Sequence, residues 1–495
     1  MNDRNEPITA ETPFRILVMG DFSGRGNRNV DVNPGELARR RILKIDRDNF
    51  EGVMDRLDVC LSNTIVDNEN KTISVCFGEL DDFEPDQLFE SVSLFGQLRT
   101  LRQQLMNDST FANAADVVRS WVDSESGTEV PAAESPENTE GEVSLDDLLS
   151  NTQKYQDEQV PSNTNVTHWD AMISNIVDPL ISAGPDPDQE ELVECVDAAI
   201  GESMRKLLHH PDFQALESMW RGLSMLIRRL DTDGDLQIHI LDISSDEMAL
   251  DLQQEDVTTS GLYRLIVENS VGTSGGQPWS AIIGSDLFST HDDVAVLQQL
   301  AKIAKAAGAP FIGGTTGHAV GCVDPAASAD ADDWQTPNTS GNAQWQELLN
   351  SPEASSVELL WPRFRIRLPY GREATQIDAF EFEEMPSTKT ADHADYLWCS
   401  PAFAAALMLG QSFMENGWQM RPGEIDEVDN LPLCYHIDDG EEVALPCGEL
   451  LISDRVADRI RQNGITPLLS VKSQDTIQVG RFCGLNGEPL SGPWN

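Results

Sequence analysis

Ser280-Ala-Ile-Ile-Gly284, then a run of helical periodicity from Val294 to Ala307, then Gly308 and Pro310-Phe-Ile312, decide the fold class. The two short apolar runs read as buried strands and the stretch between them as a helix. Gly308 stands where a helix closes on a left-handed residue. A strand–helix–strand unit of this kind is the mark of an α/β protein, here expected as mixed sheets flanked by helices.

Reading outward toward the N-terminus, Leu236-Gln-Ile-His-Ile-Leu241 is another strand. Two helices precede it. In the first, Asp186 can cap, Pro187 takes the first position and Gln189 completes a capping-box pattern, with Leu192, Val196, Ile200, Met204 and Leu207 as the apolar stripe. His209-His210-Pro211 ends it, and Phe213, Leu216, Trp220, Leu223, Ile227 and Leu230 face inward from the second. Glu217 and Arg221 lie one turn apart and can pair.

Nearer the start, Phe14-Arg-Ile-Leu-Val-Met19 is an apolar run that stops at Gly20-Asp21, a buried strand entering a loop. Lys71-Thr-Ile-Ser-Val-Cys-Phe77 alternates and is a second strand. After Pro85, residues Leu88, Val92, Leu94, Phe95, Leu98, Leu101 and Leu105 recur at helical spacing. Composition then shifts. Asp123 to Glu142 is mostly Ser, Pro, Glu, Thr and Gly with almost nothing to bury, so a flexible acidic linker is expected over 122–143. Ser144-Leu-Asp-Asp-Leu-Leu-Ser150 follows as an apolar island, with Leu145, Leu148 and Leu149 on one helical face. Beside an acidic linker it reads as a docking peptide or as a helix packed on the body, and spacing alone does not choose.

The 495 residues carry 34 Lys+Arg against 84 Asp+Glu, a formal net charge of −50. Such a surface repels phosphate backbones and anionic headgroups, which excludes non-specific nucleic-acid or membrane binding. Only eight of the basic residues are lysine, a balance that fits a saline habitat. The most apolar stretch, Ala402 to Leu409, falls far short of the roughly 20 residues a bilayer span needs, and no signal peptide opens the sequence. A cytoplasmic protein with reduced thiols is therefore expected, its eight scattered cysteines acting as small buried hydrophobes.

Five stretches invite a chemical reading. Gly20-Asp-Phe-Ser-Gly-Arg-Gly26 is glycine-rich after a strand but lacks the lysine and hydroxyl of a phosphate loop. His209-His210 has no accompanying metal pattern, so one is expected to pack and the other to cap C-terminal carbonyls. Asp231-Thr-Asp-Gly-Asp235 has its glycine two positions early for a calcium loop. Gly313-Gly-Thr-Thr-Gly-His318 lies past a strand end without a nucleophile or base, and Asp438-Asp-Gly-Glu-Glu442 reads as a hairpin turn. No catalytic, cofactor or metal site is expected from them.

Two sets of motifs carry a resemblance. Pro13-Phe-Arg-Ile-Leu-Val-Met-Gly-Asp-Phe-Ser-Gly24, Ile45-Asp-Arg-Asp-Asn-Phe50, Glu79-Leu-Asp-Asp-Phe-Glu-Pro85 and Arg102-Gln-Gln-Leu105 resemble the small sheath subunit of type VI secretion systems (TssB, or VipA). Leu208-His-His-Pro-Asp-Phe-Gln-Ala-Leu-Glu217, Trp220-Arg-Gly-Leu223, Leu368-Pro-Tyr-Gly371, Phe380-Glu-Phe-Glu-Glu384, Asp395-Tyr-Leu-Trp398, Asn416-Gly-Trp418 and Ile452-Ser-Asp-Arg455 resemble the large one (TssC, or VipB). The resemblance implies a fusion of the two, small and large halves packed together. Its segments would be a disordered arm at 1–12, a TssB-like region at 13–121, the linker at 122–143, a docking helix and connector at 144–180, and a TssC-like region at 181–495.

What the resemblance implies is mechanical work. Sheath heterodimers stack into a tube around an inner tube, and contraction drives effectors out without nucleotide hydrolysis. The implied partners are other sheath subunits or further copies of this chain, an Hcp-like inner tube protein, baseplate components and a ClpV-like ATPase that docks on Leu145, Leu148 and Leu149. Family members carry an N-terminal strand-forming arm and a longer C-terminal portion than this sequence, which leaves open a sheath-like adaptor that does not polymerise. An α/β enzyme using Gly20–Gly26 for a phosphate ligand is the other alternative.

Overall fold

The computed structural model describes residues 11–28, 30, 35–66, 72–123, 189–232, 234–273, 275–325, 330–335, 342–372, 374–386, 392–438 and 441–494. They fall into two compact units, one of Met1–Ile65, Thr72–Val92 and Ser203–Asn495, the other of Val66–Lys71 and Ser93–Glu202.

The larger unit is built on a seven-stranded sheet. Its strands are β1 (Phe14–Gly20), β2 (Leu43–Ile45), β5 (Leu236–Asp242), β6 (Ala281–Phe288), β7 (Phe311–Thr315), β8 (Val357–Trp361) and β14 (Thr466–Pro467), in the order β14-β8-β7-β6-β1-β5-β2. All neighbours run parallel except β2, which is antiparallel to β5. A parallel sheet covered on both faces needs continuous apolar runs, and β7 and β8 are buried at every residue. Phe14, Ile16, Leu17 and Val18 of β1 are wholly buried too. The expected crossover between β6 and β7 is present as the helix Val294–Ala307, which closes on Gly308 at φ 68°.

Between β2 and β5 the chain also forms a hairpin of β3 (Cys60–Val66) and β4 (Thr72–Cys76). Beyond β8 come small pairings: β9 (Phe364–Arg365) with β10 (Trp398–Cys399), β12 (Tyr435–Asp438) with β13 (Glu441–Ala444), and the order β11-β16-β15 for Glu427–Val428, Ile477–Gln478 and Leu469–Ser470. The expected hairpin at Asp438–Glu442 is there, with Asp438 opposite Glu441. Two long helices pack in this unit, Pro211–Arg229 and the almost wholly apolar Pro401–Asn416.

The smaller unit joins the helices Ser93–Leu105 and Phe111–Asp123 to the first turns of Gln189–Leu208. Arg102 donates from Nη2 to Asp197 Oδ2 at 3.0 Å, and the Gln189 side-chain amide donates to the Leu105 carbonyl. The apolar stretch after Pro85 is two helices, Pro85–Ser91 and Ser93–Leu105, because Val92 turns extended at ψ 122°. Val122 and Asp123, expected to begin the linker, instead end the helix Phe111–Asp123. The rest of that linker, the cap expected from Asp186 and Pro187, and Leu145, Leu148 and Leu149 lie outside the described residues.

The cysteine expectation needs correcting. The β3–β4 hairpin brings Cys60 and Cys76 to a Cα separation of 4.1 Å, and they form a disulfide. Sequence separation hides the pair, because only the hairpin sets the two thiols opposite each other. The other six are free, and all but Cys483 are buried, as expected of small hydrophobes.

Candidate functional site

The strand Phe14–Gly20 is not at an edge. It lies between β5 and β6, paired with β5 over all seven residues from Phe14↔Leu236 to Gly20↔Asp242, and with β6 from Ile16↔Ala281 to Met19↔Gly284. The N-terminal half of the chain thus supplies a central strand to a sheet otherwise made mostly by the C-terminal half. Removing β1 would leave the facing edges of β5 and β6 without main-chain partners, which buried backbone does not tolerate.

Side chains stitch the same seam. The Trp220 indole N–H donates to the Phe22 carbonyl at 2.9 Å, and its ring meets Phe22 and Phe50 edge-on. Phe77 and Phe83 stack at 4.0 Å and both pack on Phe213. Arg47 caps the end of the Pro211–Arg229 helix, donating to the Ile227 and Arg228 carbonyls at 3.0 and 2.6 Å. Asp86 accepts from the backbone N–H groups of Asp378 and Ala379, and Phe89 packs on Phe380.

The glycine-rich loop belongs to this seam and is filled by the chain's own acids. Asp21 accepts from the N–H groups of Arg25 at 2.7 Å and Gly26 at 2.8 Å. Asp242 takes the Ser23 N–H and hydroxyl, both at 2.9 Å. Arg25 and Arg40 converge on Glu247. A phosphate would have to displace carboxylates from the very amides it needs, so the loop does not support a phosphate cradle. Burial, with Asp242 and Asp286 near, pushes Asp21 up to about 6. Gly24 adopts φ 71°, and a Cβ there would lie 2.4 Å from the Cys60 carbonyl, so glycine serves close packing.

A second cluster is ionic, and its two glutamates are wholly buried. Glu217, 0% exposed, accepts from Arg221 Nε at 2.7 Å and Arg367 Nε at 2.8 Å. Arg367 also donates to both oxygens of Glu384, at 2.7 and 3.0 Å. Glu384 accepts the Tyr370 N–H at 2.7 Å, and Arg221 donates to the Tyr370 hydroxyl at 2.9 Å. Burial alone would raise the Glu384 carboxyl; Arg367, His209 and the Tyr370 N–H bring it down to about 2. Two glutamates thus neutralise two arginines, the condition for burying such charges. His209 stands between Glu384 at 3.5 Å and Asp395 at 3.1 Å.

His210 departs from expectation. It does not serve the helix behind it; its Nδ1 accepts from the Asp212 N–H at 3.3 Å and caps the helix ahead. Proline at the first helical position leaves that N–H as the orphan within reach. Within Gly313–His318 the glycines admit neighbours, since a Cβ on Gly314 would press on Leu287, Ser400 and Pro401. Asp231–Asp235 joins the Pro211–Arg229 helix to β5.

Comparison with known proteins follows the same division. Residues 190–481, more than half of the chain, match the VipB family, the EvpB-type tail sheath N-terminal domain. The chain belongs to the VipB tail sheath family. Residues 2–121 match the type VI secretion system VipA family. Among curated proteins, the type VI secretion system sheath protein TssC1 of Pseudomonas aeruginosa is 34% identical over 299 residues, 58% of this chain. The sheath protein TssB1 of the same organism is 28% identical over 109 residues, 20% of this chain. The chain spans 59% of the length of each relative. The chain therefore joins a region that matches VipA to one of the VipB family, as expected of a fusion of small- and large-subunit-like halves.

The VipA region provides β1 and β2, and the VipB region the other five strands of the main sheet. The ionic cluster lies entirely in the VipB region. It gathers motifs that are far apart in sequence: Leu208–Glu217, Leu368–Gly371, Phe380–Glu384 and Asp395–Trp398. Arg367, the residue at its centre, escapes a reading of the sequence because a lone arginine before Leu-Pro-Tyr carries no pattern.

Proposed function

We propose that the chain is a non-catalytic building block of a type VI contractile sheath, with the work of the small and large subunits carried by one polypeptide. The observation that carries this reading is the seat of β1 between β5 and β6, which puts strands of the VipA and VipB regions into one sheet. A protomer that must survive contraction benefits from a seam of main-chain hydrogen bonds, because these resist shear along their whole length. Its partners on this reading are further sheath protomers, an Hcp-like inner tube and baseplate components. A ClpV-like ATPase would recycle it by binding Leu145, Leu148 and Leu149. The setting on this reading is the cytoplasm; no described helix is long and apolar enough to cross a membrane.

Electron microscopy of the purified chain, alone and with an Hcp-like tube protein, tests the reading. Ordered tubes or stacked rings support it. Monodisperse particles under both conditions overturn the sheath role and leave the adaptor that does not polymerise. Replacing Leu145, Leu148 and Leu149 with alanine should abolish capture by a ClpV-like ATPase; unchanged capture removes that assignment.

A further inference from the structure

Among the described residues, Glu217, Glu384 and Glu358 are almost wholly buried, and the third differs from the other two. Glu217 and Glu384 face Arg367, but Glu358, 0% exposed on β8, does not. Its Oε1 accepts from the Thr466 hydroxyl at 2.8 Å and from the Cys483 N–H at 3.1 Å. Its Oε2 is buried and has no hydrogen-bond partner among the described residues. Oε1 is satisfied by two donors and Oε2 by none, so the site lacks the full set of donors and the cation that would offset a buried charge. An anion in that place would be far more costly than the acid.

No described residue forms an ion pair with this carboxyl. On β7 the register partner is Ile312, and on β14 the strand pairing runs through Thr466 and Pro467. The titratable group facing it is the Cys483 thiol, itself raised by burial, with Arg481 and Arg461 acting on that thiol. Burial pushes Glu358 up from its ordinary 4.5 to about 8.

What the carboxyl holds is the sheet edge. Strand β14 covers the free side of β8 by only two residue pairs. The following chain folds back beside it: the Leu485 N–H donates to the Ala354 and Val357 carbonyls, and Ser491 N–H to Ser355. We propose that Glu358 is a proton-held latch, clasping β14 and the 483–491 segment to β8 while neutral and loosening them as it ionises. Loosening exposes the β8 edge, a main-chain template for a strand of another chain. This device goes beyond the sheath reading and stands without it.

The direction follows from linkage. With the closed state holding its proton to about 8 and the open state releasing it near 4.5, opening grows tenfold per pH unit between those values and levels off above. Hydrogen exchange of the full chain over about two pH units, near 5.5 to 7.5 and corrected for intrinsic rate, reads this in peptides covering 466–491. The native chain should lose roughly a hundredfold of protection relative to Glu358→Gln across that range. Equal pH dependence in the two overturns the latch. If Glu358→Gln does not fold, infrared spectra of the native chain decide: a protonated-carboxyl stretch persisting at pH 7 and titrating near 8 supports the proposal, and its absence overturns it.

Discussion

The centre and the edge of the main sheet are held in opposite ways. At the centre, β1 pairs along seven residues on one side and four on the other, and its buried side chains are apolar. At the edge, β14 pairs over two residues and relies on a buried carboxyl. The centre joins two stretches of the chain more than two hundred residues apart, as Phe14↔Leu236 shows, and it has no ionisable group at Ile16, Leu17 or Val18 that pH can reach. The edge is short, polar and responsive.

Breaking the centre should cost most. Val18→Asp buries a carboxylate between β5 and β6 and should remove at least about 4 kcal/mol, read as loss of soluble protein or of a cooperative denaturant transition. Next comes the ionic cluster, where Arg367→Met leaves Glu384 and one side of Glu217 without their cation. We expect about 3–5 kcal/mol of destabilisation by urea unfolding, partly recovered by adding Glu217→Gln and Glu384→Gln. At the edge, Thr466→Val removes one donor to Glu358 and should cost about 1 kcal/mol, confined in hydrogen exchange to the β8–β14 region. The last effect is one of slope, confined to acid pH. Asp21, held near 6 against an ordinary 3.8, is a raised acid, so its contribution is fully present below 3.8 and lost as pH rises to 6. Asp21→Asn should flatten that stretch of the stability profile and leave the region above 6 parallel to the native chain.

Local pattern is legible in the sequence and long-range partnership is not. Phe14–Met19 reads as a strand because its run is apolar, and the helix Val294–Ala307 because its period and closing glycine agree. Nothing in either stretch says that β1 inserts between β5 and β6, since any parallel strand with an apolar face would read alike. The Glu217–Arg221 pair is visible as one helical turn, but its burial depends on Arg367, 150 residues away. Glu358 sits in Val-Glu-Leu-Leu-Trp, where a single acid in an apolar strand ordinarily marks a solvent face. The Cys60–Cys76 disulfide escapes an argument from compartment and spacing, because the hairpin decides it instead. The family motifs are the strongest guide to the ionic cluster, for they name its members without revealing that they touch.

Hydrogen exchange of residues 14–20 in the intact chain tests the central claim most directly. If the VipA region supplies the middle strand of one cooperative sheet, these amides should exchange in the slowest class, together with those of 236–242 and 281–288, and should be released with them by denaturant. Fast exchange of 14–20 while the other two strands stay protected would mean that the two regions fold separately, and the account would be wrong.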